Sequence, residues 1–171
     1  MKRIAIDMDG VLADTTAQFL INHELDTGIK LTEKNVMGMP ESKAFPNVYT
    51  WVNTEGFFRK LPVMPDSQLV VKKLMESYDV FIVSAATEFP NSLKDKQAWL
   101  TEFFSFISWQ QVVFCGSKTI IKADIMIDDH FKNLDYFSGE TLLFNNAHNA
   151  LADAGRHKRV HNWLEIENLL L

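Results

Sequence analysis

The chain opens on a short apolar run, Ile4-Ala5-Ile6, closed by Asp7, and the same texture returns four more times. Asp79-Val80-Phe81-Ile82-Val83 ends at Ser84, Gln111 to Phe114 follows, Ile125-Met126-Ile127 ends at Asp128-Asp129, and Thr141 to Phe144 comes last. Apolar runs this short and this continuous predict strands buried on both faces.

Between these runs the spacing becomes helical. Thr15 to Leu25 predicts a helix that stops at Gly28. Asp66-Ser67 predicts a helix start, with Leu69, Val70, Leu74 and Met75 as its apolar stripe. Ser92-x-x-Asp95 predicts a capping box, opening a helix through Trp99, Leu100 and Phe103. Asn162-x-x-Glu165 predicts a last helix that buries Trp163, Ile166 and Leu170. Strands alternating with helices at this rhythm define an α/β fold, a Rossmann-like parallel sheet flanked by helices.

Residues 29–65 break the rhythm, with interruptions at Gly38, Pro40, Pro46 and Gly56. Short helices are expected there, the first capped at Thr32, and Pro62 and Pro65 close the segment. The stretch 15–65 is too long for a plain crossover between strands. It predicts a small helical cap domain inserted after the first strand, on a core domain made of 1–14 and 66–171.

Composition narrows the function classes. A chain of 171 residues with 47% apolar content supports one core with an insertion. The net charge of −5 argues against binding a nucleic-acid polymer. Cys115 is the single cysteine, so there is no intrachain disulfide and no cysteine zinc motif, and the cytoplasm is the expected compartment. Cys115 itself reads as a small buried apolar residue. No apolar run approaches the roughly 18 residues of a membrane span. A homodimer is compatible with this composition, though nothing in the sequence requires one.

The chemistry concentrates at strand ends. Asp7 and Asp9 stand one residue apart before Gly10, and unpaired buried carboxylates are costly. A divalent metal, a phosphate site, or both is expected there. Ser84, Lys118 and Asp128-Asp129 converge on the same edge, because open parallel sheets bind ligands beyond the carboxyl ends of their strands. Roles follow from charge. A phosphate ester repels an aspartate unless a magnesium ion, which takes oxygen ligands, bridges the two. Lys118 brings a second positive charge and Ser84 a hydrogen bond to phosphate. Asp7 is then the nucleophile, and Asp9 the acid and afterwards the base.

Plainer readings apply to other residues. Asp-x-Asp-Gly alone also suits a turn, and Asp14 predicts a helix cap. Gly56-Phe57-Phe58 suits cap packing as well as a pocket, while Tyr49 and Trp51 read as packing. His148 reads as a loop residue, since magnesium prefers oxygen, and Arg156 to Arg159 as a solvated turn. Phospho-receiver domains use similar residue types in another order, with the acidic pair first.

Asp7-Met8-Asp9-Gly10-Val11, then Ser84, Lys118 and Asp128-Asp129, in that order, resemble the four motifs of the haloacid dehalogenase (HAD) superfamily of phosphohydrolases. DMDGVLAD (7–14), GFF (56–58) and SKTIIKADIMIDD (117–129) resemble more narrowly the 5′(3′)-deoxyribonucleotidases, the cytosolic type C nucleotidases. The resemblance spans nearly the whole chain and is weakest over 29–50. It implies a HAD-like fold and a Mg2+-dependent hydrolase of (deoxy)nucleoside monophosphates, with a sugar phosphate as the alternative substrate. It further implies that magnesium is held by the Asp7 carboxylate, the Asp9 carbonyl and the Asp129 carboxylate. Asp9, Ser84 and Lys118 would meet the substrate phosphate, and Asp128 would orient water or Lys118 from behind. Phe57 or Phe58 would face the nucleoside under the cap. Thr15 and Ala85-Ala86 depart from the animal members, at positions bordering the nucleoside.

Overall fold

The structure, a computed structural model, describes residues 1–171. Strand β1 (Arg3–Ile6) leads into helices α1 (Thr15–Thr27), α2 (Glu33–Val36), α3 (Glu41–Ala44) and α4 (Val48–Val52). Next come α5 (Ser67–Ser77), β2 (Asp79–Ser84), α6 (Ser92–Phe103), β3 (Val112–Phe114) and β4 (Ile125–Asp128). The chain closes with α7 (Phe131–Leu134), β5 (Glu140–Phe144), β6 (Lys158–Val160) and α8 (Trp163–Leu170). All strand pairs are parallel, in the order β3-β2-β1-β4-β5-β6.

This order makes β1 the centre. The chain runs outward through β2 and β3, returns to the other side of β1, and runs outward again through β4, β5 and β6. Strand order therefore reverses between β1 and β4, which is where such sheets open a crevice at their carboxyl ends. Ile6 is level with Ile82 on one side and Ile127 on the other. The Asp7 N–H continues the ladder by donating to the Ile127 carbonyl at 2.9 Å. The three central strands thus end at one level, with Asp7, Ser84 and Asp128 on one rim.

The five predicted strands are present, and β6 is a sixth, overlapping the basic run Arg156 to Arg159 where a solvated turn is expected. It is short and lies at the sheet edge, so only Val160 is buried and no apolar run announces it. Two details of the helices also differ. Ser92 does not cap α6: its hydroxyl donates to the Ala86 carbonyl, and Asp95 accepts from the Gly56 N–H at 2.7 Å. Tertiary partners thus take both groups of the expected capping box. On α5, Leu69 is exposed, while Val70, Val71 and Leu74 form the buried stripe. Asp14 does cap α1, accepting from the Ala17 N–H at 2.9 Å.

The helices α1 to α4 stand between β1 and β2 in sequence, and two linkers tie them to the sheet. Asp14 donates to the Pro62 carbonyl at 2.8 Å and Met64 donates to the Leu12 carbonyl at 2.7 Å. The two linkers therefore run side by side as an antiparallel pair at Ala13 and Val63. Helix α6 supplies further ties, through Asp95 to Gly56 and through the Trp99 indole to the Leu61 carbonyl. Phe19, Phe45, Trp51 and Phe57 pack as rings among the helices. Their cluster is continuous with Ile4, Ile6, Ile82 and Ile127 of the sheet.

Candidate active site

Lys118 lies in a 3₁₀ turn after β3, with its ammonium buried between two carboxylates. Nζ is 2.6 Å from Asp7 Oδ1 and 2.6 Å from Asp128 Oδ2. The Met8 N–H donates to the same Asp7 oxygen at 2.7 Å, which leaves Asp7 Oδ2 free of protein partners. Asp128 is held from behind by Asn133 Nδ2, 3.0 Å from both its oxygens, and by the His130 N–H at 2.9 Å. Asp128 therefore orients Lys118 and is itself fully enclosed.

Asp9 has a different partner. Lys96 of α6 places Nζ 2.5 Å from Asp9 Oδ2, 3.0 Å from Ser84 Oγ and 4.4 Å from the centre of the Phe58 ring. Lys96 lies outside the motifs that announce the other site residues. The signal was there: Lys96 is three, four and seven residues before Trp99, Leu100 and Phe103, so it sits on the apolar stripe of its helix. A lysine on that stripe is buried at a cost unless it meets a charge.

Asp129 completes the set. Its Oδ2 accepts from Asn146 Nδ2 at 2.9 Å, and its Oδ1 is buried without a partner. Ligand-capable oxygens of Asp7, Asp128 and Asp129 lie within 4.8 Å of one another. Three carboxylates thus crowd one ammonium, and the charge does not balance. Burial pushes the Asp7 carboxyl up to about 8; Lys118 pulls it back, while Asp128, Asp129 and Asp9 push with burial. Burial likewise pushes Asp129 up to about 7, opposed by His148 and reinforced by Asp128 and Glu41. Burial pulls Lys118 down, but Asp7 and Asp128 together outweigh it and hold the ammonium charged. An all-oxygen donor set, a surplus of negative charge and an orphaned buried carboxylate oxygen fit a hard divalent cation.

Gly10 makes the close approach possible. Its φ is +74°, and a Cβ there would stand 2.1 Å from Asp129 Oδ2. The loop it serves is anchored by Trp163 of α8, whose indole donates to the Val11 carbonyl at 2.8 Å.

A cavity of about 440 Å³ opens above these groups. Asp7, Asp9, Lys96, Lys118 and Asp129 line its polar end, and Phe19, Val48, Val52, Phe58 and Phe89 contribute an apolar wall. Of the two predicted aromatics, Phe58 lines the cavity, while Phe57 turns away to stack on Phe19 and meet Phe58 edge-on. Ser84 is fully buried behind the cavity and reaches it through Lys96. Thr15 and Ala85 are both in the lining. At the mouth, Glu41 faces His130 and His148. The two imidazoles stack at 4.4 Å with planes 16° apart. His148 also donates through Nε2 to the Asp129 carbonyl at 3.1 Å.

A reversing parallel sheet that gathers Asp-x-Asp, Ser, Lys and an acidic pair on one rim has a haloacid dehalogenase-like fold. The fold is similar over 100% of this chain and 99% of the other to a haloacid dehalogenase-like hydrolase of Streptococcus pneumoniae, at TM-score 0.64 and 12% identity. It is also similar, at TM-score 0.62 and 13% identity, to a magnesium-bound HAD hydrolase of Bacillus subtilis described as showing interdomain movement, covering 99% of this chain and 98% of that one. The family model of the 5′ nucleotidase, deoxy (pyrimidine), cytosolic type C protein matches residues 1–171. The 5′(3′)-deoxyribonucleotidase of Bacillus subtilis is 46% identical over 175 residues, covering 99% of each chain, and that of Bacillus phage SPbeta matches equally. The chain belongs to the 5′(3′)-deoxyribonucleotidase family and is a nucleotide phosphomonoester hydrolase.

Proposed function

We propose that this chain removes the phosphate of (deoxy)nucleoside monophosphates with the aid of Mg2+, through a phosphorylated Asp7. The observation that carries the reading is the shape of one cavity. Its polar end holds Lys96 and Lys118 beside Asp7 and Asp9, and its other wall is apolar and aromatic. That combination suits a phosphate at one end and a planar base at the other.

Asp7 and Asp129 would hold the metal through their side chains and Asp9 through its carbonyl; when bound, the ion neutralises phosphate charge so that an anionic nucleophile can approach. Lys118 opposes the burial that raises the Asp7 carboxyl and orients it, leaving Oδ2 to attack phosphorus. The ester P–O bond breaks as the Asp7 O–P bond forms, and Asp9 hands its proton to the departing nucleoside oxygen. Lys96 covers the negative charge that Asp9 then carries. Water next attacks the phosphoryl group, Asp9 takes the water proton, and inorganic phosphate leaves with Asp7 regenerated. Asp128 acts through Lys118, and Ser84 acts on the phosphate end through Lys96.

Residues 15–65 act in this reading as the cap over the nucleoside, on a core of 1–14 and 66–171. The paired linkers at Ala13 and Val63 bring both ends of the segment to one seam, as a lid over a site requires. The family description is of a cytosolic enzyme, and no helix is long and apolar enough to cross a membrane. We place the chain in the cytoplasm.

A sugar phosphate is the competing substrate, and the aromatic wall favours the nucleotide. The deciding experiment is phosphate release from deoxyuridine, thymidine and uridine monophosphates against sugar phosphates, with magnesium and with chelator. Nucleotides turned over at least tenfold better, and only with metal, is the expected result. Equal turnover of sugar phosphates would remove the nucleotide reading, and full activity of Asp7→Asn would remove the nucleophile.

A further inference from the structure

Asn146 follows β5 and is buried. Its side-chain amide spends one N–H on the Gly10 carbonyl at 2.6 Å and the other on Asp129 Oδ2 at 2.9 Å. The amide is thereby a clasp between the loop after β1 and the carboxylate after β4. Its own position is fixed from behind. The Asn146 N–H donates to Asn149 Oδ1, Asn149 Nδ2 donates to the Phe144 and Asp129 carbonyls, and Arg159 donates to Asn149 Oδ1.

The clasp divides the two oxygens of Asp129. Oδ2 is claimed by Asn146, whereas Oδ1 is buried with no partner. Oδ2 and the Asn146 amide fill the space beside Gly10 that a side chain would take, since a Cβ there would stand 2.1 Å from Oδ2 and 2.7 Å from Asn146 Nδ2. A carboxylate held in this way offers one oxygen to a metal and keeps the other. Mg2+ is small, demands near-octahedral geometry and accepts one oxygen from each carboxylate. Ca2+ takes more ligands and accepts both oxygens of a carboxylate.

We propose that Asn146 is a positioning residue that sets the metal selectivity of this site, by restricting Asp129 to one-oxygen ligation and so favouring Mg2+ over Ca2+. The inference rests on the reading of Asp129 as a metal ligand. It concerns a residue outside the acidic and lysine motifs, and it acts through Asp129 without touching substrate.

The test is metal binding to the full chain without substrate. Mn2+ is titrated into metal-free protein and followed by its electron paramagnetic resonance signal, with Mg2+ and Ca2+ as competitors. In Asn146→Ala, Mg2+ affinity falls about tenfold or more, as loss of an outer partner does. Ca2+ affinity falls by no more than about twofold, so preference for Mg2+ over Ca2+ drops about fivefold or more. Asn146→Ser, which keeps a polar group, provides the same comparison if the alanine variant does not fold. A lowered metal-free melting temperature with an unchanged Mg2+/Ca2+ ratio would overturn the proposal and leave Asn146 a packing residue. Asp129→Asn is the control: it must abolish Mn2+ binding, and if it does not, the metal reading itself fails.

Discussion

Lys96 sets its ammonium 2.5 Å from the Asp9 carboxylate while donating to Ser84 at 3.0 Å. One buried cation on α6 thus ties the proposed proton carrier at the end of β1 to the serine at the end of β2. Neither carboxylate pairing nor serine chemistry would be the same without it.

Lys96→Met keeps the stem packed against Phe58 and removes the charge. Turnover of a nucleoside monophosphate is expected to fall about a hundredfold or more, the scale of losing one preorganised charged donor. Steady-state phosphate release with metal saturated measures this, and a variant within threefold of the parent would exclude Lys96 from the chemistry. Lys96→Arg restores charge but not shape, and is expected to recover only part of the loss.

The raised carboxyls give the metal-free protein a defined pH response. Asp7 near 8 and Asp129 near 7 both lie above the ordinary 3.8, so the folded chain keeps protons that the unfolded chain has released. Their stabilising contribution is complete below about pH 4 and is lost as pH rises through about 7 and 8. In chelator, the part of the melting-temperature profile due to these groups falls from about pH 4 to about pH 8. Added Mg2+ requires ionised carboxylates, so its stabilising effect grows over the same interval. Melting curves with and without Mg2+ across that range check both signs; a metal effect independent of pH would contradict them.

Phe57 and Phe58 are neighbours with separate tasks. Phe58→Ala opens the cavity wall and is expected to raise KM for nucleotides several-fold, with a smaller change in kcat. Phe57→Ala empties a ring-packed site beside Phe19 and is expected to cost about 3–5 kcal/mol of stability. Urea denaturation and Michaelis kinetics on both variants separate the two effects.

Gly10→Ala combines a left-handed backbone with a direct overlap on Asp129. The strain alone costs about 1–3 kcal/mol, and displacing Asp129 weakens metal binding as well. A paired measurement of melting temperature and Mn2+ affinity is expected to show both losing ground; wild-type metal affinity would show that Gly10 serves the turn only.

Much of this architecture was legible in the chain because buried parallel strands are continuous apolar runs and the chemistry sits at their ends. Asp7, Ser84 and Asp128 share one rim as the strand ends predicted. The difficulties have specific physical causes. Lys158–Val160 pairs at the sheet edge with one buried residue, so periodicity had nothing to register. Ser92 and Asp95 satisfy a local capping pattern, yet bond to Ala86 and Gly56, which are distant or irregular partners that no local rule contains. Lys96 could have been found, because its place on an apolar stripe demands a counter-charge. Asn146 could not: an asparagine after a strand is ordinary in a turn, and its bonds to Gly10 and Asp129 join chain positions that only the folded sheet brings together.

The antiparallel pairing of Leu12–Asp14 with Pro62–Met64 means that the excursion after β1 begins and ends at the same place. The sheet closes across that seam whatever lies beyond it, so the register of β1 with β2 does not depend on how long the excursion is. The segment between Ala13 and Val63 can therefore change in length or composition while the strand end that carries Asp7 keeps its place.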